Sequence, residues 1–415
     1  MTHAERDTEV QDAAVGNAPD AGHTTAPTTP EEFAINPRRA RSLRVAPKAT
    51  PGDAKLHNRT LVLQTLFISG PLSRADIARA TELTKVTISG LVAELIAEGL
   101  VQELGQQESH RPGKPAILVD LARSSHAVVA LDLSDEQVLR GAVIDLTGRT
   151  LARAERPRFD AAGDAVIGDA ACELVVDLAL ALRDASDIPL LGIGVGTPGI
   201  VDDDGVVRVA PNFGWEGLPL RQILTERTGI PTTVGNDANV AALAEYSFGD
   251  TSEDFVLVRI GYGVGAGLIL GGHSVPGSQF ASGEIGQVMV GTDLGIDAPY
   301  ARGQVLEHWL SVPTLTRALL AAGPELREDV LREAGNRLGV ALAPVIGMLN
   351  LAEIVLAGPH ELVSGTLADA ALEIITRRTM PNSHDALVIR TSSQGDDLIL
   401  RGATAVVLRE RLGVS

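Results

Sequence analysis

The 415-residue chain contains a single cysteine, Cys172. One thiol cannot form an internal disulfide, and it excludes zinc sites that need several cysteine ligands. We interpret Cys172 as a small apolar residue buried on a helix, because it stands in an aliphatic stretch; a reactive thiol is the alternative. Neither a disulfide scaffold nor a cysteine-rich metal domain is therefore expected.

Aromatic and basic residues are also scarce. Aromatic residues make up 3% of the chain and hydrophobic residues 45%, which is typical of an α/β protein with aliphatic cores, and the length predicts about two or three domains. The 35 Lys and Arg residues stand against 53 Asp and Glu, a formal net charge of −18. The protein is not basic overall, although a local basic face is compatible with that sum.

Long apolar runs are missing. No stretch reaches the roughly 20 residues of a membrane-spanning helix, and the N-terminal MTHAERDTEV lacks the basic-then-apolar order of a signal peptide. We therefore expect a cytoplasmic protein without a membrane partner. Residues 1–50 have almost no large apolar side chains, which predicts a disordered extension. Its basic end, NPRRARSLRVAPK, is either a solvated linker or an arm that touches phosphates.

Residues 55–121 carry the pattern of three helices and a hairpin. NRTLVLQTLFISG has helical spacing and ends at Gly70, and SRADIARAT opens with Ser73 three residues before Asp76, a variant of the capping box. A third helix starts at Thr84, and two short strands follow around a polar tip. The residues predicted to form the buried stripe of the third helix are Val86, Ile88, Leu91, Leu95 and Ile96. This order predicts a winged helix-turn-helix.

A winged helix-turn-helix places its recognition helix in the major groove and its wing against the DNA backbone or minor groove. Small polar residues on the leading face of that helix, with cations at the wing tip, favour DNA binding over a three-helix module without DNA. The residues predicted to contact DNA are Ser73, Arg74, Lys85, Thr87, Ser89, Arg111 and Lys114.

A weak internal repeat follows. VVALDLSDEQVLRGAVIDLTGRTL and FVLVRIGYGVGAGLILGGHSV both predict a strand, a tight turn and a second strand. Two lobes with matching starts indicate a duplicated fold with a cleft between them. We expect one lobe over 127–247 and a second over 248–415, with the C-terminal helix returning to the first lobe.

Polar residues cluster in the segments that would border this cleft. PNFGW supplies Asn212, and VGNDANVAALAEY places Asn236 and Asp237 where a strand ends and a helix begins. The Asp237 carboxylate could be a general base, a plain hydrogen-bond acceptor or a helix N-cap, and the local pattern slightly favours the cap. SGEIGQ and Glu307 complete the set.

The motifs that carry a family resemblance are RPGKPAILVDL, GTPGIVD, PNFGW, NDANVAALAE and GEIGQ. Through them the chain resembles the ROK family (repressors, open reading frames and sugar kinases), in particular its transcriptional regulators with an N-terminal winged helix. The resemblance covers nearly everything from residue 55 to the end. It implies a two-lobed, actin-like fold of duplicated ribonuclease-H-like halves. It also implies a sugar site, with Asp237 as the base in kinase members. The implied sugar-binding residues are Asn212, Asn236, Asp237, Glu284, Gln287 and Glu307.

The sequence departs from the kinase pattern of the family at three places. Gln287 stands where the family usually has histidine and is a poor metal ligand. YARGQVLEH (300–308) replaces a cysteine-rich zinc loop, so we expect no metal and a loop held by packing alone. The phosphate turn is DLSDEQ, with Ser134 in place of glycine and Glu136 in place of threonine. Each added carboxylate beside a triphosphate costs on the order of a kcal/mol or more.

These observations predict a sugar-responsive, DNA-binding regulator. The preferred interpretation is a repressor of carbohydrate uptake or catabolism genes. Such a regulator would need no cofactor and would not be an enzyme. Asp237 would be a vestigial base that binds the ligand. The segment GYGVGAG would form a tight hairpin. The expected partners are an inverted-repeat operator, a sugar or sugar-phosphate effector, and further copies in a homodimer or tetramer. The alternatives are an ATP-dependent sugar kinase with a DNA-binding head, and a regulator with a vestigial cleft and a protein partner.

Overall fold

The structure is a computed structural model that describes residues 51–106, 116–291 and 297–414. The predicted N-terminal extension with its basic arm, and the wing-tip residues Arg111 and Lys114, lie outside these ranges. The described chain begins with three helices and three short strands, which form an antiparallel sheet in the order β1-β3-β2. The elements are α1 (Pro51–Ser69), β1 (Leu72–Ser73), α2 (Arg74–Thr81), α3 (Lys85–Ala97), β2 (Val101–Gln106) and β3 (Ile117–Leu121).

The helix boundaries follow the predicted caps, but the stripe on α3 needs one correction. Ser73 and Asp76 form the capping box of α2, and Thr84 caps α3. Ile88 is fully buried, whereas Val86 is 83% exposed, so its assignment to the buried stripe is wrong. The two residues are two positions apart, which is about 200° around a helix. When Ile88 faces the core, Val86 must therefore face solvent.

The rest of the chain alternates strands and helices. Its first elements are β4 (Ala127–Asp132), β5 (Val138–Asp145), β6 (Thr150–Pro157), α4 (Gly168–Asp184), β7 (Leu190–Thr197), β8 (Ile200–Val201), β9 (Val207–Ala210), β10 (Trp215–Leu218), α5 (Leu220–Thr228), β11 (Thr232–Asn236) and α6 (Asp237–Phe248). They continue with β12 (Phe255–Ile260), β13 (Val264–Leu270), β14 (His273–Ser274), α7 (Leu306–Leu310), α8 (Val312–Ala322), α9 (Arg327–Leu349), β15 (Glu353–Ala357), α10 (His360–Val363), α11 (Thr366–Arg378), α12 (Pro381–His384), β16 (Val388–Thr391) and α13 (Leu398–Leu412).

The sheets repeat one plan, as the internal sequence repeat predicts. The first sheet has the order β11-β7-β4-β5-β6 and the second the order β16-β15-β12-β13-β14. In each sheet an antiparallel hairpin comes first, a later strand then pairs in parallel with the first strand of the hairpin, and a further strand pairs in parallel with that later strand. Every residue of β4 is buried, as expected for a strand covered on both faces.

Helices α6 and α13 form the layer between the two sheets. Their buried residues share one core cluster with residues from both sheets, including Ala130, Phe255 and Val355. Small residues allow the helices to approach closely: a Cβ on Gly402 of α13 would lie 2.0 Å from the Val240 carbonyl oxygen of α6. Cys172 is buried on α4, as expected, and burial raises the pKa of its thiol.

The C-terminal end of α13 contacts the N-terminal helices. Leu412 and Val414 are buried in one cluster with Val62 and Leu66 of α1, and the Gln64 side-chain amide donates to the Gly413 carbonyl oxygen. One helix therefore joins the region between the sheets to the N-terminal helices. None of the helices in the described ranges is long and apolar enough to cross a membrane.

Candidate functional site

A cavity of about 620 Å³ opens beside the N-terminus of α6 and the β12–β13 turn. The sequence predicts six sugar-binding residues in four separate segments, and all six line this cavity. They are Asn212, Asn236, Asp237, Glu284, Gln287 and Glu307. The fold thus brings together side chains that are up to about a hundred residues apart in the chain.

Asn236, and not Asp237, is the N-cap of α6. The Asn236 side-chain oxygen accepts from the backbone N–H groups of Ala238 and Asn239 at 3.0 and 3.1 Å. Its amide nitrogen donates to the Gly199 carbonyl at 2.9 Å and to Asp237 Oδ1 at 3.2 Å. An amide has two donor hydrogens and two acceptor lone pairs, so these four bonds use its whole capacity. Asn236 therefore fixes the helix start and the orientation of Asp237.

Asp237 is buried and paired with an arginine that the sequence analysis did not single out. Arg259 Nη1 lies 3.1 Å from Asp237 Oδ2, and Arg259 Nη2 donates to Ser134 Oγ at 2.8 Å. Burial raises the pKa of the Asp237 carboxyl. The charge of Arg259 opposes this rise, and the charge of Asp132 adds to it. One feature of the sequence could have identified Arg259: it is a charged residue inside the apolar strand FVLVRI. Because buried charges are almost always paired, such a residue indicates an acidic partner nearby.

Acidic and amide groups face each other on the far side of the cavity. Glu307 Oε2 accepts from the Val264 N–H at 3.0 Å, and Gln287 Nε2 lies 3.4 Å from Glu307 Oε1. Partial burial and then the charges of Asp237 and Glu307 raise the pKa of Glu284. Such a mixture of acceptors and donors suits a ligand with many hydroxyl groups.

The loop that replaces the zinc loop is held by hydrogen bonds as well as by packing. The Val290 N–H donates to the Gln304 carbonyl at 2.8 Å, and the Tyr300 hydroxyl lies 2.7 Å from Gln287 Oε1. The expectation that packing alone holds it is therefore wrong. Within the described ranges, no group of three or more His, Cys, Asp or Glu side chains could hold a metal ion, so the donor set there does not fit zinc.

The degenerate phosphate turn is bonded to its surroundings through its own side chains. Asp135 pairs with Arg140 at 3.1 Å, and Glu136 Oε1 accepts from Asn212 Nδ2 at 3.3 Å. The buried guanidinium of Arg158 donates to the Asn212 carbonyl at 2.7 Å. With the Ser134–Arg259 bond, the turn is thus connected to two of the six cavity residues, Asn212 and, through Arg259, Asp237.

The predicted DNA-contacting residues divide into four groups. Lys85 and Ser89 are exposed near the start of α3 and Thr87 is half-buried. Arg74 pairs with Glu103 at 2.7 Å. Ser73 is only 5% exposed and its hydroxyl is engaged in the capping box, so the structure gives it a capping role. Arg111 and Lys114, the two predicted wing-tip cations, lie outside the described ranges.

The structure is a mixed α/β protein with two five-stranded sheets of matching order and a cavity lined by carboxylate and amide side chains. A sequence model of the ROK family matches residues 129–410, which is more than half of the chain. The protein belongs to the ROK family, and its mixed α/β structure is the ROK fold.

Several known proteins are similar along most of their length. A xylose repressor from Caldicellulosiruptor bescii is 25% identical over 86% of this chain and 96% of its own. The DNA-binding transcriptional dual regulator NagC from Escherichia coli (strain K12) is 27% identical over 86% and 93%. Among solved structures, a ROK family transcriptional regulator, a homologue of the E. coli MLC protein, has a TM-score of 0.74 at 22% identity and covers 86% of this chain and 98% of its own. The ROK hexokinase from Thermus thermophilus has a TM-score of 0.55 at 27% identity and covers 68% and 98%.

Proposed function

We propose that this protein is a sugar-responsive, DNA-binding transcriptional repressor of genes for carbohydrate uptake or catabolism, located in the cytoplasm. The observation that carries the proposal is the bonding at the phosphate turn, where Arg259 joins Ser134 to Asp237. A kinase needs an unobstructed base beside a phosphate-accepting turn. Here the base candidate is paired with a guanidinium, and the turn presents carboxylates.

Residues 55–121 would be a winged helix-turn-helix domain that binds an inverted-repeat operator as part of a homodimer or tetramer. In support, the repressor relatives cover 86% of the chain and the hexokinase only 68%. Lys85 and Ser89 would contact DNA from the exposed start of α3, together with Arg111 and Lys114 of the wing. Val86, which is 83% exposed, adds an apolar group of the kind that contacts thymine methyls.

The domains would be a head (55–121), a first lobe (127–247) and a second lobe (248–415). Sugar in the cavity would change the angle between the lobes, and hence the spacing of two heads in a dimer. Helix α13 supports this coupling, because it packs on α6, which carries Asp237, and its other end contacts α1. A ligand shifts such an equilibrium only by its differential affinity for the two states.

The test starts from DNA selected in vitro by the full-length protein. We expect a gel shift with that DNA, and a reduced affinity when an effector sugar is added. Glu284→Ala is expected to keep DNA binding and to lose the sugar response. Glu216→Ala, an exposed glutamate on β10 outside the cavity, is the matched control and should keep both. An unchanged sugar response in Glu284→Ala would contradict the assignment of this cavity as the sugar site, and the absence of a response to any sugar in the wild type would favour a protein partner.

The alternative is a sugar kinase with an appended head, favoured by the retained Asp132 and Asp237 and by the hexokinase likeness. Sugar-dependent release of ADP by the purified protein separates the two functions. We expect none above the background of an Asp237→Asn variant.

A further inference from the structure

Two cavities meet at Ser134, Arg259 and Tyr262. The first is the cavity of about 620 Å³ with the six predicted sugar-binding residues; the second, of about 840 Å³, lies beside the phosphate turn and the start of α13. The three shared residues line both. A group attached to a sugar hydroxyl at Asp237 would therefore extend toward this junction.

The described walls of both cavities are rich in carboxylates. Ten Asp or Glu side chains and four Arg side chains line the two cavities. Three of the four arginines are ion-paired: Arg259 with Asp237 at 3.1 Å, Arg140 with Asp135 at 3.1 Å, and Arg153 with Asp397 at 2.6 Å. The fourth, Arg302, lies at the exposed rim.

A phosphate dianion at the junction would meet unfavourable charges. Asp237 lines the first cavity and Asp132 the second, and the arginine at the junction, Arg259, already pairs with Asp237 and donates to Ser134. To bind the phosphate, Arg259 would have to leave a buried carboxylate without its counter-charge, which is strongly unfavourable. An uncharged sugar needs no such exchange, because its hydroxyls can donate to the carboxylates as they stand.

We infer that the cavity selects an uncharged, unphosphorylated sugar and rejects the corresponding sugar phosphate, because carboxylates line the junction of the two cavities and its arginine, Arg259, is already paired with Asp237. The inference rests on the proposed sugar-sensing function and names the class of its effector. The pKa directions of the carboxyl groups agree with this inference. Asp237 and Glu284 already have raised pKa values in an acidic site, and a phosphate dianion would add further negative charge to that site.

The experiment compares matched ligands by titration calorimetry with the full-length protein. The probes are glucose, mannose and N-acetylglucosamine, each with its 6-phosphate, together with xylose and inorganic phosphate. We expect at least one uncharged sugar to bind, its 6-phosphate to bind about tenfold more weakly or worse, and inorganic phosphate not to bind. Tighter binding of a 6-phosphate than of its parent sugar would overturn the inference and leave the proposed function standing. Failure of every probe would overturn both.

A charge variant tests the cause. Asp135→Asn keeps the oxygen that accepts from the Gln137 N–H but removes one partner of Arg140. We expect the 6-phosphate to gain about threefold in affinity, the scale of an exposed ion pair, and the parent sugar to be unaffected. Asp160→Asn is the matched control, because Asp160 also caps a turn through one oxygen and does not line either cavity. An equal effect of the two variants, or none, would contradict the electrostatic reasoning.

Discussion

The joint between α13 and α1 gives the sharpest prediction. Gly413 ends α13 in the left-handed conformation, with φ of 68°. A Cβ there would lie 2.4 Å from Thr60 Cγ2 and 2.9 Å from Thr60 Oγ1. Gly229 ends α5 in the same way, with φ of 73°, and a Cβ there would have no neighbour within 4 Å. The two positions share a backbone requirement but differ in their surroundings.

The magnitudes follow from this difference. Placing alanine in the left-handed region costs roughly 1–2 kcal/mol, and that cost applies to both Gly229→Ala and Gly413→Ala. Gly413→Ala also overpacks the contact with Thr60, which adds about 1–3 kcal/mol. Thr60→Ala removes the two nearest atoms, so in the Gly413→Ala background it should recover most of that second cost.

Urea unfolding of the wild type, Gly413→Ala, Thr60→Ala and the combined variant forms a double-mutant cycle, and Gly229→Ala is measured beside it. Gel shifts with and without effector sugar measure the coupling. Gly413→Ala should reduce the effect of sugar on DNA affinity, since it displaces α1 from the end of α13, whereas Gly229→Ala should leave that effect intact. Equal losses of stability in the two glycine variants, with no interaction between Gly413→Ala and Thr60→Ala, would refute the reasoning.

Three further predictions concern single side chains. Glu245→Ala should destabilise the protein by about 3 kcal/mol or more, because the fully buried Glu245 carboxylate accepts from Arg390 and the Ser393 N–H; urea unfolding measures this. Ser73→Ala should cost about 1 kcal/mol through loss of the cap without changing DNA affinity in gel shifts, and a selective loss of DNA affinity would instead restore Ser73 as a phosphate contact. Burial lowers the pKa of His126, so the unfolded chain takes up a proton below about pH 6.5 that the folded chain does not. The stability of the wild type should therefore fall as pH drops through that value, and the urea midpoint of His126→Gln should fall less. Parallel plots of urea midpoint against pH for the wild type and His126→Gln would contradict this role of His126.

The fold was accessible from the sequence where local and long-range signals agree. The capping residues and the duplicated hairpins stand in short stretches whose spacing directly reflects backbone geometry. The error at Val86 has a simple origin. Val86 and Ile88 are both apolar and lie near the start of α3, but the 100° step of a helix puts them on opposite sides.

The candidate site could be predicted only as a set of residues. Motif order identified the six side chains that meet in one cavity, but not how each uses its hydrogen bonds. The exhausted amide of Asn236 and the Glu136–Asn212 bond depend on side chains from distant segments. Arg259 was missed because its partners are 22 and 125 residues away, and no local spacing rule connects them.

The Arg259 pair bears on why a phosphate turn can change while the cavity beside it persists. In a kinase, a buried base must exchange partners during each turnover, because the reacting hydroxyl has to give up its proton. A guanidinium fixed between Ser134 and Asp237 provides a permanent counter-charge instead, which opposes the effect of burial on the carboxyl pKa. On the proposed function, that arrangement favours Asp237 as a steady hydrogen-bond acceptor. If Asp237 only accepts hydrogen bonds and transfers no proton, the protein has no need of a turn that binds phosphate. Ser134 and Glu136 then contribute by holding Arg259 and Asn212 in place.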